Sequence, residues 1–119
     1  MITVAALGCS KGQLTLAGAK AIAEADKVFV KTALTDTYEY FKESGTQNVP
    51  LDFIYENSQD FDDLDNKIVE YIKDSDTGEN IVYCVNGSGY DDRSVIALSK
   101  VCDIKIIPSA SAGIVGNSP

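Results

Sequence analysis

Short, nearly continuous apolar runs occupy residues 3–7, 27–30, 48–53, 81–85 and 103–107. A strand covered on one face alternates apolar and polar positions, whereas a strand packed on both faces has no polar side to show. The runs therefore predict five strands inside a parallel sheet. Helical spacing fills the stretches between them. Thr15 is suited to cap a helix whose inward face carries Leu16, Ala19, Ile22 and Ala23, because its hydroxyl can accept a free N–H of the first turn. A second helix is predicted over residues 37–44, with Gly45 placed to end it. The most regular pattern is Phe61, Leu64, Ile68, Tyr71 and Ile72, followed by Gly78. A fourth helix over residues 93–101 turns Val95, Ile96, Leu98 and Val101 inward. Strands that alternate with helices pack through right-handed crossovers, because a right-twisted strand feeding a right-handed helix returns to its sheet only that way. The fold class predicted is α/β, with helices on both faces of a parallel sheet.

Composition narrows the picture. The chain has 119 residues, 45% of them hydrophobic, which suits one domain with a real core. No apolar run approaches the roughly 18 residues that a membrane span requires. Met1-Ile2-Thr3-Val4 lacks the basic start of a secretory leader and reads as a buried strand. Histidine is absent, which removes Ser–His–Asp and Cys–His catalysis and the usual zinc sites. A formal net charge of −8 repels a phosphate backbone, so no nucleic acid and no membrane is expected as a partner. Cys9, Cys84 and Cys102 lack metal-ligand spacing, and Cys84 and Cys102 lie in or beside apolar strands as small hydrophobes. Free thiols point to a cytoplasmic protein. The acids Asp60, Asp62, Asp63 and Asp65 suit a solvated helix start, where negative charge meets the positive end of the peptide dipoles. They lack the spacing and glycine of a calcium loop, and no metal is expected.

Ligands of parallel α/β sheets collect beyond the carboxyl ends of the strands. Three turns there are rich in small residues: Gly8-Cys9-Ser10-Lys11-Gly12, Asn86-Gly87-Ser88-Gly89-Tyr90 and Pro108-Ser109-Ala110-Ser111. The first fails the dinucleotide fingerprint, because Ser10 stands at the second glycine. It also fails the P-loop, because Lys11 precedes Gly12. An ordinary turn remains open for the first loop and for the second. A flavodoxin-type flavin module would rest on topology alone, with only Ser10 to cradle a phosphate.

Five segments in order resemble the tetrapyrrole (corrin/porphyrin) methylase family, and in particular the methylase-like domain that precedes a MazG nucleotide pyrophosphohydrolase domain in certain bacterial fusion proteins. They are residues 2–8 with Gln13-Leu14-Thr15-Leu16, residues 25–32, Asp52-Phe53-Ile54-Tyr55-Glu56, Tyr83-Cys84-Val85-Asn86-Gly87, and Ile106-Ile107-Pro108-Ser109-Ala110-Ser111-Ala112. The fourth is similar to Y-A-V-P-G-H-P and the fifth to I-I-P-G-V-S-A. The resemblance implies a sheet in the order 3-2-4-1-5 over residues 1–112, with residues 113–119 leading to a second domain. It implies S-adenosylmethionine as the methyl donor in a cleft between the domains. Gly87, Ser88, Gly89, Tyr90, Ser109, Ala110 and Ser111 would hold the donor, and Gly8, Cys9 and Ser10 would face a small-molecule methyl acceptor. A homodimer is implied as well. Asn86 and Gly89 stand where the motif has prolines, and Ser109 where it has glycine. Those departures predict a less preorganised loop, and they keep a second reading alive: a catalytically degenerate scaffold or regulatory domain of a MazG-type fusion.

Overall fold

The structure, a computed structural model, describes residues 1–110. Five strands, β1 (Ile2–Ala6), β2 (Lys27–Val30), β3 (Val49–Pro50), β4 (Ile81–Val85) and β5 (Ile104–Ile107), form one sheet in the order β3-β2-β4-β1-β5. Every pairing is parallel. The predicted strand order and fold class are both present. The predicted domain end at residue 112, and the connection over residues 113–119, lie outside the described residues.

Alternation along each strand sorts the core into two layers. Ile2 and Val4 of β1, with Ile81, Tyr83 and Val85 of β4, pack toward α4 (Phe61–Ser75) and α5 (Arg93–Ser99). Ala5 beside Val82 and Cys84 packs toward α1 (Leu16–Glu24) and α2 (Glu39–Ser44) on the other face. Every residue of β4 is buried, as the continuous run Ile-Val-Tyr-Cys-Val requires of a central strand. Edge strand β5 is only half-buried. Burial pushes the Cys84 thiol far above its ordinary pKa, so it stays protonated and inert. Cys102 is half-buried against the same core as Tyr83, and Cys9 is exposed.

The third strand departs most from expectation. It was predicted over residues 48–53, but the ladder stops at Pro50, and α3 (Asp52–Glu56) follows at once. Leu51 N–H makes the last bond, to Val30 O at 2.8 Å. Asp52 then accepts from the Thr32 hydroxyl at 2.5 Å and the Ala33 N–H at 2.9 Å, fixing the turn from 20 residues away. Leu51 and Ile54 become the buried pair, at helical rather than strand spacing, and Phe53 turns outward.

Helix faces match the predicted ones at Ile22, Leu64, Ile68, Ile72, Val95 and Leu98 and depart from them at their edges. On α1 the buried residues are Gly18 and Ile22, while Leu16 is 91% exposed and Ala23 is exposed. Thr15 caps the helix as predicted, accepting from Gly18 N–H at 3.1 Å. The helix predicted from residue 37 begins as a single 3-10 turn, Asp36–Tyr38, before α2, and Gly45 ends it in the left-handed region at φ 70°. On α4, Leu64, Ile68, Val69 and Ile72 are buried, whereas Phe61 is 60% exposed. On α5, Val95 and Leu98 are buried and Ile96 faces outward, while Val101, predicted on the same helix, lies exposed in the turn beyond Ser99. Asp60 caps α4 by accepting from Asp63 N–H at 2.8 Å. Asp65 is not part of a solvated helix start. It is buried, and Arg93 Nε binds it at 3.0 Å, which compensates the lost water.

Candidate functional site

The carboxyl ends of β1, β4 and β5 meet at one rim. Beyond β1 and β4, Gly8 and Gly87 exchange backbone bonds: Gly8 N–H to Gly87 O at 3.2 Å and Gly87 N–H to Gly8 O at 2.9 Å. The third turn joins them, because Ser109 Oγ donates to Gly87 O at 3.1 Å and Ala110 N–H to Gln13 O at 2.7 Å. The three glycine- and serine-bearing turns singled out in the sequence therefore converge. Ser111 lies outside the described residues.

Each turn has a reason for its small residues. Gly8 sits at φ +86°, and a Cβ there would fall 2.3 Å from the Gln13 Cβ. Gln13 is pinned by its own bond, accepting from Cys9 N–H at 2.7 Å. Gly89, at φ +93°, is buried over the sheet, where a Cβ would press on Ala6 and Ile106. Gly87 is different. It is left-handed too, at φ +75°, yet a Cβ would meet nothing within 4 Å. The space above Gly87 is open. Beside it Ser88 accepts from Tyr90 N–H at 3.3 Å and donates to Asp91 at 3.1 Å, leaving Tyr90 60% exposed.

Asn86 is anchored rather than loose. Its Oδ1 accepts from the hydroxyls of Thr37 at 2.6 Å and Thr35 at 3.3 Å, so hydrogen bonds constrain the turn where the motif has a proline. The serine at position 109 likewise ties its turn to Gly87.

Sequence reasoning missed a polar chain running from the core to this rim. Tyr83, fully buried in β4, bonds Ser94 Oγ at 2.8 Å. Ser94 Oγ also donates to Asp92, which caps α5 by accepting from Ser94 N–H at 2.9 Å and Val95 N–H at 3.1 Å. Lys31 Nζ, just beyond β2, completes the chain at 2.9 Å from Asp92. Position 92 followed by a helical run could have signalled the cap, but no local pattern links it to a lysine 61 residues away. Burial opposes charge on Asp92, yet the bonds from Lys31 and Ser94, the Lys31 charge and the Val95 N–H outweigh it and hold the carboxyl below its ordinary pKa. Burial pushes the Tyr83 hydroxyl well above its own ordinary value, against the pull of Ser94.

A depressed folded-state pKa contributes stability above the unfolded value, which for aspartate is about 3.9, and loses it as pH falls through the folded value. Urea midpoints between pH 6 and pH 2 should fall across and below that region. Asp92→Asn should start lower at neutral pH and show a shallower fall. Parallel curves for the two proteins would refute the assignment.

A cleft of about 210 Å³ opens beside the first turn, with Ser10, Thr15, Thr37 and Tyr40 on its wall and the Lys11–Glu43 ion pair (2.8 Å) on its border. Of the residues expected at the substrate side, Ser10 lines it. Residues 87–90 do not, and at Gly87 an added Cβ would meet nothing within 4 Å.

No family model matches the chain, and no curated protein matches it either. Among solved structures it is similar to the crystal structure of an Entamoeba histolytica protein assigned as a diphthine synthase, with a TM-score of 0.56 and 21% identity. The match covers 93% of this chain and 42% of that one, so the chain spans less than half the length of its neighbour. The likeness establishes the fold that the two share, an α/β architecture built on a five-stranded, all-parallel sheet.

Proposed function

We propose that the chain is an S-adenosylmethionine-dependent methyltransferase domain of the tetrapyrrole methylase type, acting on a small-molecule acceptor. The observation that carries this reading is the rim itself: three turns joined through Gly8, Gly87 and Ser109, with open space above Gly87. The five ordered motifs and the fold shared with the assigned diphthine synthase support it. S-adenosylmethionine would fit such a rim, because small residues admit a nucleoside close to the backbone. Bound there, it supplies a methyl group on a sulfonium, so the reaction asks for position and exclusion of water rather than a proton-transfer pair. A chain without histidine meets that requirement.

In this reading the bonds from Gly8 and Ser109 fix Gly87. Ser88, Gly89 and Tyr90, with Ser109, Ala110 and Ser111, then hold the donor. Gly8, Cys9 and Ser10 border the acceptor, which enters from the cleft beside Ser10. A second domain would cover the rim, and the working protein would be a homodimer. The reduced thiols suit the cytoplasm.

One observation favours the scaffold reading. Gly87 O accepts from both Gly8 and Ser109, and Gly87 N–H is spent on Gly8, so this peptide turns its groups inward to the protein. A domain serving only to organise a MazG-type hydrolase needs no more. Calorimetric titration of the full-length protein, second domain included, with S-adenosylmethionine, read together with hydrogen exchange, separates the two. The methyltransferase reading expects heat of binding and slowed exchange over residues 87–90. Silence in both overturns it and leaves the scaffold.

A further inference from the structure

We propose that a notch between α3 and α4, away from the glycine rim and independent of the methyltransferase reading, docks a basic peptide segment of a partner protein. An arginine or lysine side chain of that segment enters between Tyr55 and Phe61. The notch holds about 310 Å³ and is lined by Tyr55, Ser58, Gln59, Asp60, Phe61 and Leu64. Leu64 is buried in the core, while Tyr55 and Phe61 leave 57% and 60% of their surface to solvent. Two aromatic residues with a carboxylate beside them suit a cation, because the ring quadrupole attracts positive charge over its face.

The molecule already demonstrates the chemistry on one of these rings. The Arg93 guanidinium lies 5.8 Å from the centroid of Phe61 while its nitrogens bind Asp62 and Asp65 at 2.5 and 3.0 Å. The notch adds the Tyr55 ring and the Asp60 carboxylate to the Phe61 surface, and among the described residues no cation pairs with Asp60. Asp60 Oδ1 is spent on the helix cap, and its second oxygen makes no hydrogen bond among the described residues. The nearby Lys67 ammonium is held by Asp63 at 3.0 Å and by Asn57 O at 2.7 Å. Charge complementarity selects the occupant. With a chain of net charge −8, and with Glu56 next in sequence to Tyr55, the surface around the notch repels any polyphosphate and attracts a cationic peptide.

Titrating ¹⁵N-labelled protein with an acetylated, amidated peptide of alternating arginine and leucine, and with its glutamate-for-arginine counterpart, tests the proposal. Amide shifts should cluster at Tyr55, Gln59, Asp60 and Phe61 with the arginine peptide alone, and weaken as salt is raised. Tyr55→Ala removes one ring, and Asp60→Asn removes the charge while keeping a capping side chain. Each should weaken binding about fivefold or more, with the dispersion of the free-protein spectrum unchanged. Shifts spread evenly over the acidic surface would overturn the proposal, as would unchanged affinity in both variants. So would shifts at these four residues that follow protein concentration alone, which would make a second copy the occupant.

Discussion

Gly8→Ala is expected to lower the free energy of unfolding by about 2–5 kcal/mol, and Gly87→Ala by only about 1 kcal/mol. Both glycines sit in the left-handed region, at φ +86° and +75°, where a Cβ crowds the backbone. That strain is common to the pair. What separates them is space. At Gly8 the new Cβ would fall 2.3 Å from Gln13 Cβ and 2.4 Å from its Oε1, whereas at Gly87 it meets nothing within 4 Å. The colliding Gln13 Cβ is rooted on the backbone and cannot swing aside like the end of a long side chain. Moving it disturbs the bonds that Gln13 accepts from Cys9 N–H and Ala110 N–H. The collision therefore reaches two of the three rim turns. Urea denaturation of both variants measures the difference directly. Equal losses would mean that Gln13 yields freely and that Gly8 is there for φ alone.

The layered sheet was legible because it rests on local signals. Residues 81–85 could be read as a central strand from their unbroken apolar character, and the glycines after strands one and four marked the turns that converge. Long-range pairings were not legible. Asp52 starts α3 because it accepts bonds from Thr32 and Ala33, and nothing in residues 48–53 announces that partner. The helix faces were right at Ile22, Leu64, Ile68, Ile72, Val95 and Leu98 and missed only at their margins, for a related reason. A spacing of three and four residues leaves the edges of a face to tertiary contacts, and α1 buries the predicted Ile22 with Gly18 but leaves Leu16 and Ala23 exposed. The exposed Phe61, read as core from its spacing, became half of the proposed docking notch.

Tyr83→Ala should cost about 3–5 kcal/mol, while Tyr83→Phe should cost no more than about 1 kcal/mol. The ring fills the centre of β4 at 0% exposure, packed among Val4, Ile68, Ile72 and Leu98 in the core cluster, so truncation removes contacts and leaves a cavity in rigid surroundings. The hydroxyl is another matter. Deleting it breaks the 2.8 Å bond to Ser94, yet Ser94 Oγ keeps Asp92 as its acceptor and no buried polar atom is stranded. The variants should also part at the rim. Tyr83→Phe leaves the Asp92 cap and the Lys31 pair in place, so hydrogen exchange at Ser94 and Val95 should match that of the unaltered protein. In Tyr83→Ala the floor beneath α5 is lost, and exchange at those two amides should rise along with the loss of stability. A Phe variant as unstable as the Ala variant would place the energy in the polar chain from Tyr83 to Lys31 rather than in the packing of the ring.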